Sequence, residues 1–86
     1  MPEISRFYGI IIKMFYADHR PPHFHAQYGE YEALVNIQTL GIVGGFLPPR
    51  AMGLVMEWTT LHQKELLAFW KSAEELKPLG HIEPLK

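Results

Sequence analysis

Apolar residues follow two different rhythms along this chain. As far as Gly45 they come in short runs or alternate with polar residues, and beyond Pro49 they recur every three or four positions. Ile10 to Tyr16 is apolar nearly throughout, as expected of a well-covered strand, and Ile4 to Tyr8 is expected to pair with it across Gly9. Ala17 to Pro22, punctuated by two prolines, reads as a loop. His23–Tyr28 and Tyr31–Ile37 flank Gly29-Glu30, and a two-residue connection opening on glycine predicts a type II′ hairpin. A short fifth strand near Ile42-Val43 is expected to end at Gly44-Gly45.

The second half reads as helix. Pro48-Pro49 suits a helix start, because the first helical positions need no donor. From Ala51 the apolar positions 51, 54, 55, 58, 61, 66, 69, 73 and 76 keep helical phase. An unbroken helix from Pro49 to Leu76 would run roughly 40 Å at ~1.5 Å per residue. A domain of this length has an expected radius of gyration of only ~12 Å. A kink is therefore predicted, at the β-branched pair Thr59-Thr60, with Thr60 and Gln63 forming a capping box for a second helix. Without a break one end would overhang, and a homodimer would be expected. Pro78 and Gly80 stop the helix and leave His81–Leu85 as an extended tail. The predicted fold is α+β: an antiparallel meander of four to five strands, followed by one kinked or two C-terminal helices on one face.

Strand pairing follows from the turn. If Tyr28 faces Tyr31, then Ala26 faces Ala33 and Phe24 faces Val35, which makes one apolar face completed by Ile37. The other face carries His23, His25 and Gln27 against Asn36, Leu34 and Glu32. The helix should cover the apolar face, leaving the histidines pointing away from it or into a cleft.

Composition narrows the function classes. Eighty-six residues make a single domain, 1–86, that buries little more than ~60% of its unfolded surface, so a metal, a partner or self-association would add usefully to its stability. Without cysteine there is no disulfide, thiolate ligand or thiol nucleophile, which suits a reducing cytoplasm. The longest apolar run, Ile10-Ile11-Ile12, is far short of the ~20 residues that span a bilayer. No basic region followed by an apolar stretch opens the chain, so neither a signal peptide nor a membrane association is expected. A net charge of −1 argues against a sequence-indifferent nucleic-acid binder, although a local patch with Arg20 and Arg50 would still serve RNA chemistry.

The chemistry concentrates in Asp18-His19-Arg20-Pro21-Pro22-His23-Phe24-His25, which holds three of the five histidines. His23 and His25, two apart on a strand, project from one face. Glu32 and Asn36 lie diagonally from His25 and within reach of it. Three readings stay open. In the first, His23 and His25 ligate a divalent metal such as zinc, with Asp18, His19 or Glu32 as third ligand and a position left for water. In the second, His23 and His25 act as general acid and base, Asp18 or Glu32 orients an imidazole, and Arg20 or Arg50 binds phosphate, as in metal-free RNA cleavage. In the third, the face is a non-catalytic surface that binds a protein partner. Elsewhere, Arg50 with free backbone donors after Gly44–Pro49 suggests an anion site. His62 and Glu65 sit on the apolar stripe at i, i+3, and read as residues turned outward at a helix start. Trp58, Phe69 and Trp70 read as core or interface anchors.

Several blocks carry a resemblance. They are Pro2–Ile10, Asp18–Ala26, Tyr28–Ala33, Leu47–Ala51, Glu57-Trp58, Glu65–Leu67 and Ile82–Leu85. Together they resemble a small prokaryotic family known only as a domain of unknown function. Members are commonly encoded beside a second small protein in an arrangement resembling toxin–antitoxin pairs. The resemblance implies a small cognate partner and a context, with no catalytic residues to transfer. Gly53 stands where many relatives carry a larger residue, which is expected to loosen the helix locally.

Overall fold

The computed structural model describes residues 2–86. Five strands, β1 (Glu3–Phe7), β2 (Ile10–Lys13), β3 (His23–Tyr28), β4 (Tyr31–Asn36) and β5 (Ile42–Phe46), precede one helix, α1 (Pro49–Glu74). The strands form one antiparallel sheet in the order β1-β2-β3-β4-β5, so the fold is α+β. Among the described residues no helix is long and apolar enough to cross a membrane.

Local chemistry accounts for the turns. Tyr8 and Gly9 both have positive φ, 50° and 79°, as a type I′ hairpin between β1 and β2 requires. Gly29 has φ 59° while Glu30 does not share the left-handed region, in keeping with the II′ turn read from the sequence. The β3–β4 register is the expected one: Tyr28 pairs with Tyr31, Ala26 with Ala33, and Phe24 with Val35.

β5 departs from expectation. It continues through Gly44-Gly45 to Phe46, because a bulge between Val35–Ile42 and Leu34–Gly44 lets the glycines stay in the ladder. Gly45 adopts φ 78°, and a Cβ there would collide with the Glu32 carbonyl and lie 3.0 Å from Ala33 Cα. Gly53, in contrast, is exposed, has nothing within 4 Å of a would-be Cβ, and sits in regular helix. The helical geometry is therefore not broken at this glycine. Gly45→Ala is expected to destabilise the protein by about 1–3 kcal/mol or more, and Gly53→Ala to stabilise it by about 0.5–1 kcal/mol. Paired urea titrations would check both signs.

α1 lies on the Phe24/Ala26 face. Ala51, Val55, Trp58, Thr59, Leu66, Trp70 and Ala73 are its buried residues. Trp58 packs against Phe7 and Phe24 at ring separations of 5.4 and 5.7 Å. Leu61 and Leu76, assigned to the stripe by phase alone, are 67% and 68% exposed.

A straight 26-residue helix would be roughly 39 Å long at ~1.5 Å per residue. The longest extent of the molecule is 33 Å and its radius of gyration 11.6 Å. The kink that resolves this falls at His62 (φ −123°, ψ 21°), and not at Thr59-Thr60. Both threonine hydroxyls donate to carbonyls one turn back, Val55 and Met56, from within regular helix. The Thr60–Gln63 capping box does not form either. Gln63 Nε2 donates to the carbonyls of Ile37 (2.7 Å) and Gln38 (3.1 Å), which fastens α1 to the end of β4. The tail runs back along β1, where Ile82 is buried and its amide donates to the Ile4 carbonyl at 2.7 Å.

Candidate metal centre

His23 and His25 project from the same face of β3, as alternation demands. What lies over them comes from elsewhere in the chain. Phe15, in the β2–β3 loop, meets the His25 ring edge-on at 4.5 Å. Trp70, from α1 beyond the kink, sits 5.3 Å from the His23 ring. His23 is thereby 5% exposed, so this end of the face is covered by the chain itself. The same loop is tied to the helix end by Ala17 N–H to Ala73 O (3.4 Å) and by an Arg20–Glu74 ion pair (2.9 Å).

The loop delivers Asp18 to both rings. Its Oδ2 lies 3.1 Å from His23 Nε2 and 3.3 Å from His25 Nε2. Its Oδ1 accepts the His19 backbone amide at 2.8 Å, which fixes the carboxylate plane. One ligand atom from each of Asp18, His23 and His25 lies within 4.8 Å of the others. Burial pushes the Asp18 carboxyl up, but the His19 amide, the bond to His25 and the nearby imidazoles together hold it below its ordinary value.

The outer ring nitrogens decide what this arrangement wants. His23 Nδ1 is 2.7 Å from the Pro21 carbonyl, a group that only accepts, so Nδ1 carries a proton. In the neutral ring, Nε2 then presents a lone pair to a carboxylate oxygen. His25 Nδ1 is buried with no hydrogen-bond partner, 3.4 Å from Glu32 Oε2. Whichever nitrogen of His25 carries its proton, the other faces a carboxylate. With both rings neutral, the cluster holds more acceptors than protons, and a cation among them relieves the conflict.

The distances point the same way. Ligand atoms bound to tetrahedral zinc at ~2.0–2.1 Å lie roughly 3.3 Å apart. A direct charge-assisted N–H···O bond is shorter, about 2.7–2.9 Å. The observed 3.3 Å from His25 matches the coordination spacing, and the 3.1 Å from His23 falls between the two ranges. A backbone carbonyl behind one imidazole and a carboxylate behind the other are the supports that metal-bound histidines usually have.

The other residues singled out from sequence are distributed as follows. Glu32 stands behind His25 and accepts from Gln27 Nε2 at 3.2 Å. His19 is exposed, and its contact with Asp18 is through its backbone. The Arg20 guanidinium is held by Glu74. Arg50 lines a cavity with Tyr8 and Tyr28, at the far end of β3 from His23, so the two arginines do not converge on the histidines. Asn36 is turned away from His25, since its Oδ1 caps the amides of Gln38 and Thr39. His62 Nδ1 pairs with Glu65 at 2.7 Å and its ring packs on Trp58, away from the centre. Phe15, the Pro21 carbonyl and Trp70 are the parts of the site without a sequence signal, Trp70 because it arrives from more than forty residues away.

Comparison with known proteins adds one finding. A family described as "Domain of unknown function (DUF4160)" matches residues 9–71, well over half of the chain. No curated protein and no solved structure matches it.

Proposed function

The chain belongs to the DUF4160 family, and on that premise we propose that Asp18, His23 and His25 hold one divalent metal ion, zinc by donor type, in a metal-dependent hydrolase. The observation that carries this reading is the convergence of Asp18 Oδ2 on two Nε2 atoms at near-coordination spacing, with His23 Nδ1 committed to Pro21. Two imidazoles and a carboxylate suit zinc and leave a fourth position for water or substrate. Bound there, the ion would supply Lewis acidity and a water of lowered pKa. The protein's own groups do the rest. Pro21 sets the His23 ring, Glu32 faces His25 Nδ1, the His19 amide aims Asp18, and Phe15 and Trp70 pack against the imidazoles.

RNA cleavage in a cytoplasmic, toxin–antitoxin-like pair with a small cognate protein is a second reading, on the same centre. It is favoured by the rim, where exposed His19 and Arg20 flank Asp18. With Arg20 paired to Glu74 and Arg50 remote, the metal would have to supply the positive charge that a scissile phosphate needs.

Metal analysis of the purified protein and of a His23→Ala/His25→Ala variant tests the first reading. About one zinc per chain in the former and none in the latter is expected for a three-ligand site. A folded native protein that stays metal-free after zinc is offered would overturn it. Hydrolysis of bis(p-nitrophenyl) phosphate and of RNA by the loaded protein, lost in the variant, would then separate enzyme from structural metal site.

A further inference from the structure

Arg50 is the one strong cation of the sequence reading that the metal centre leaves unused. It stands at a cavity of about 280 Å³ whose walls are Tyr8, Tyr28, Pro48 and Leu54, over buried Ile10 and Ala51. The backbone builds this cavity on purpose-shaped turns. Tyr8 sits at φ 50° in the β1–β2 hairpin, and the Tyr28 ring passes over Gly9, 3.5 Å from where a Cβ would be. The two phenol rings therefore come from adjacent hairpin ends and face the first turn of α1. Both are partly exposed, Tyr8 59% and Tyr28 38%.

Charge singles the place out further. Arg50 has no carboxylate within ion-pair distance among the described residues, whereas Arg6 and Arg20 are both paired. The first turn of α1 contains no acidic residue to compete for it. An arginine without a partner beside aromatic and aliphatic walls matches a ligand with an anionic head and a flat apolar body. Size limits that body. The cavity lies just below the ~300–1,000 Å³ typical of ligand sites, which suits one ring and excludes a dinucleotide.

We propose that this cavity binds a monocyclic aromatic anion, the ring between Tyr8 and Tyr28 over Ile10, and the carboxylate or phosphate on the Arg50 guanidinium. The site shares no residue with the metal centre and opens on the opposite sheet face, since Tyr28 shares its side of β3 with Ala26 and Phe24 and not with His25. Its occupancy can be tested whether or not metal is bound.

The test is a ¹⁵N-NMR titration of the full chain with phenyl phosphate and with benzoate, against inorganic phosphate and benzyl alcohol as probes lacking ring or charge. Saturable shifts are expected at the amides of residues 8–10, 28 and 50–51 for either aromatic anion, the tighter of the two identifying the preferred head group. Each single-feature probe should bind at least about tenfold more weakly. Arg50→Gln, an exposed substitution that leaves the fold intact, should weaken the aromatic anions by a similar factor, and Tyr28→Leu should weaken them while leaving inorganic phosphate unchanged. Absent or scattered shifts would overturn the proposal, as would equal binding of inorganic phosphate or full affinity in Arg50→Gln.

Discussion

Zinc at about a hundredfold excess over its dissociation constant is expected to raise the thermal midpoint of the protein by roughly 10–20 °C. A ligand that binds only the folded state adds about 2.7 kcal/mol at that excess. For a domain of this size each kcal/mol moves the midpoint by about 4–8 °C. The increment depends only on that excess, and the centre draws its parts from three places in the fold. Asp18 belongs to the β2–β3 loop, His23 and His25 to β3, and Trp70 to the helix beyond its kink. His23→Ala/His25→Ala should show no zinc-dependent shift. Asp18→Asn, which keeps the shape and can still accept the His19 amide, should retain only a small one, because it removes the charge that faces both rings. Differential scanning calorimetry with and without chelator reads all three. An equal shift in the double variant would mean that zinc binds elsewhere, and no shift in the native protein would remove the metal reading.

Trp58→Ala is the substitution expected to damage the fold most. Trp58 is fully buried, packs at a tilt against Phe7 and His62 and edge-on against Phe24, and donates from Nε1 to the Glu83 carbonyl at 2.9 Å. Truncating a buried tryptophan costs about 3–5 kcal/mol. Domains have about 0.05–0.15 kcal/mol of stability per residue, so 86 residues give about 4–13 kcal/mol in all. The variant should lose at least about 15 °C of midpoint or fail to fold. Trp58→Phe keeps most of the packing and gives up the hydrogen bond, so a loss of about 1–2 kcal/mol is expected. Because that bond holds the tail, Trp58→Phe should also speed amide exchange at Ile82. A Trp58→Ala variant within a few degrees of the native midpoint would show that the sheet and helix do not depend on this anchor.

The two predictions differ in how far they could be reached from sequence. Trp58 was legible as an anchor because it sits on a periodic apolar stripe. Half of the candidate metal centre was legible too. Alternation along a strand puts His23 and His25 on one face, and the Gly29-Glu30 turn fixes their register opposite Asn36 and Leu34. Asp18 was a candidate orienting group or third ligand alongside Glu32 and His19. Spacing along the chain could not rank these three, since the loop can present Asp18 or His19 and β4 carries Glu32 beside β3. Loop closure made the choice: Ala17 and Arg20 dock on the end of α1, and that leaves the Asp18 carboxylate over the rings with Glu32 behind one of them.

The sequence by itself determined what depends on neighbours a few residues apart: the meander, the type II′ hairpin, the two faces of the sheet, the amphipathic helix, and the need for that helix to bend. Tertiary structure decided where it bends, because the His62 break accompanies the reach of Gln63 to the Ile37 and Gln38 carbonyls, whereas both threonines can back-bond within a helix. It also decided that His23 is buried, since Trp70 returns only after the bend. The same packing separated Arg20 from Arg50 and gave one to Glu74 and the other to the tyrosine-lined cavity. Periodicity is a local property of the chain and can be read along it. Which side chains meet across a loop or beyond a kink depends on how the whole core closes, and two residues far apart in sequence carry no local record of that contact.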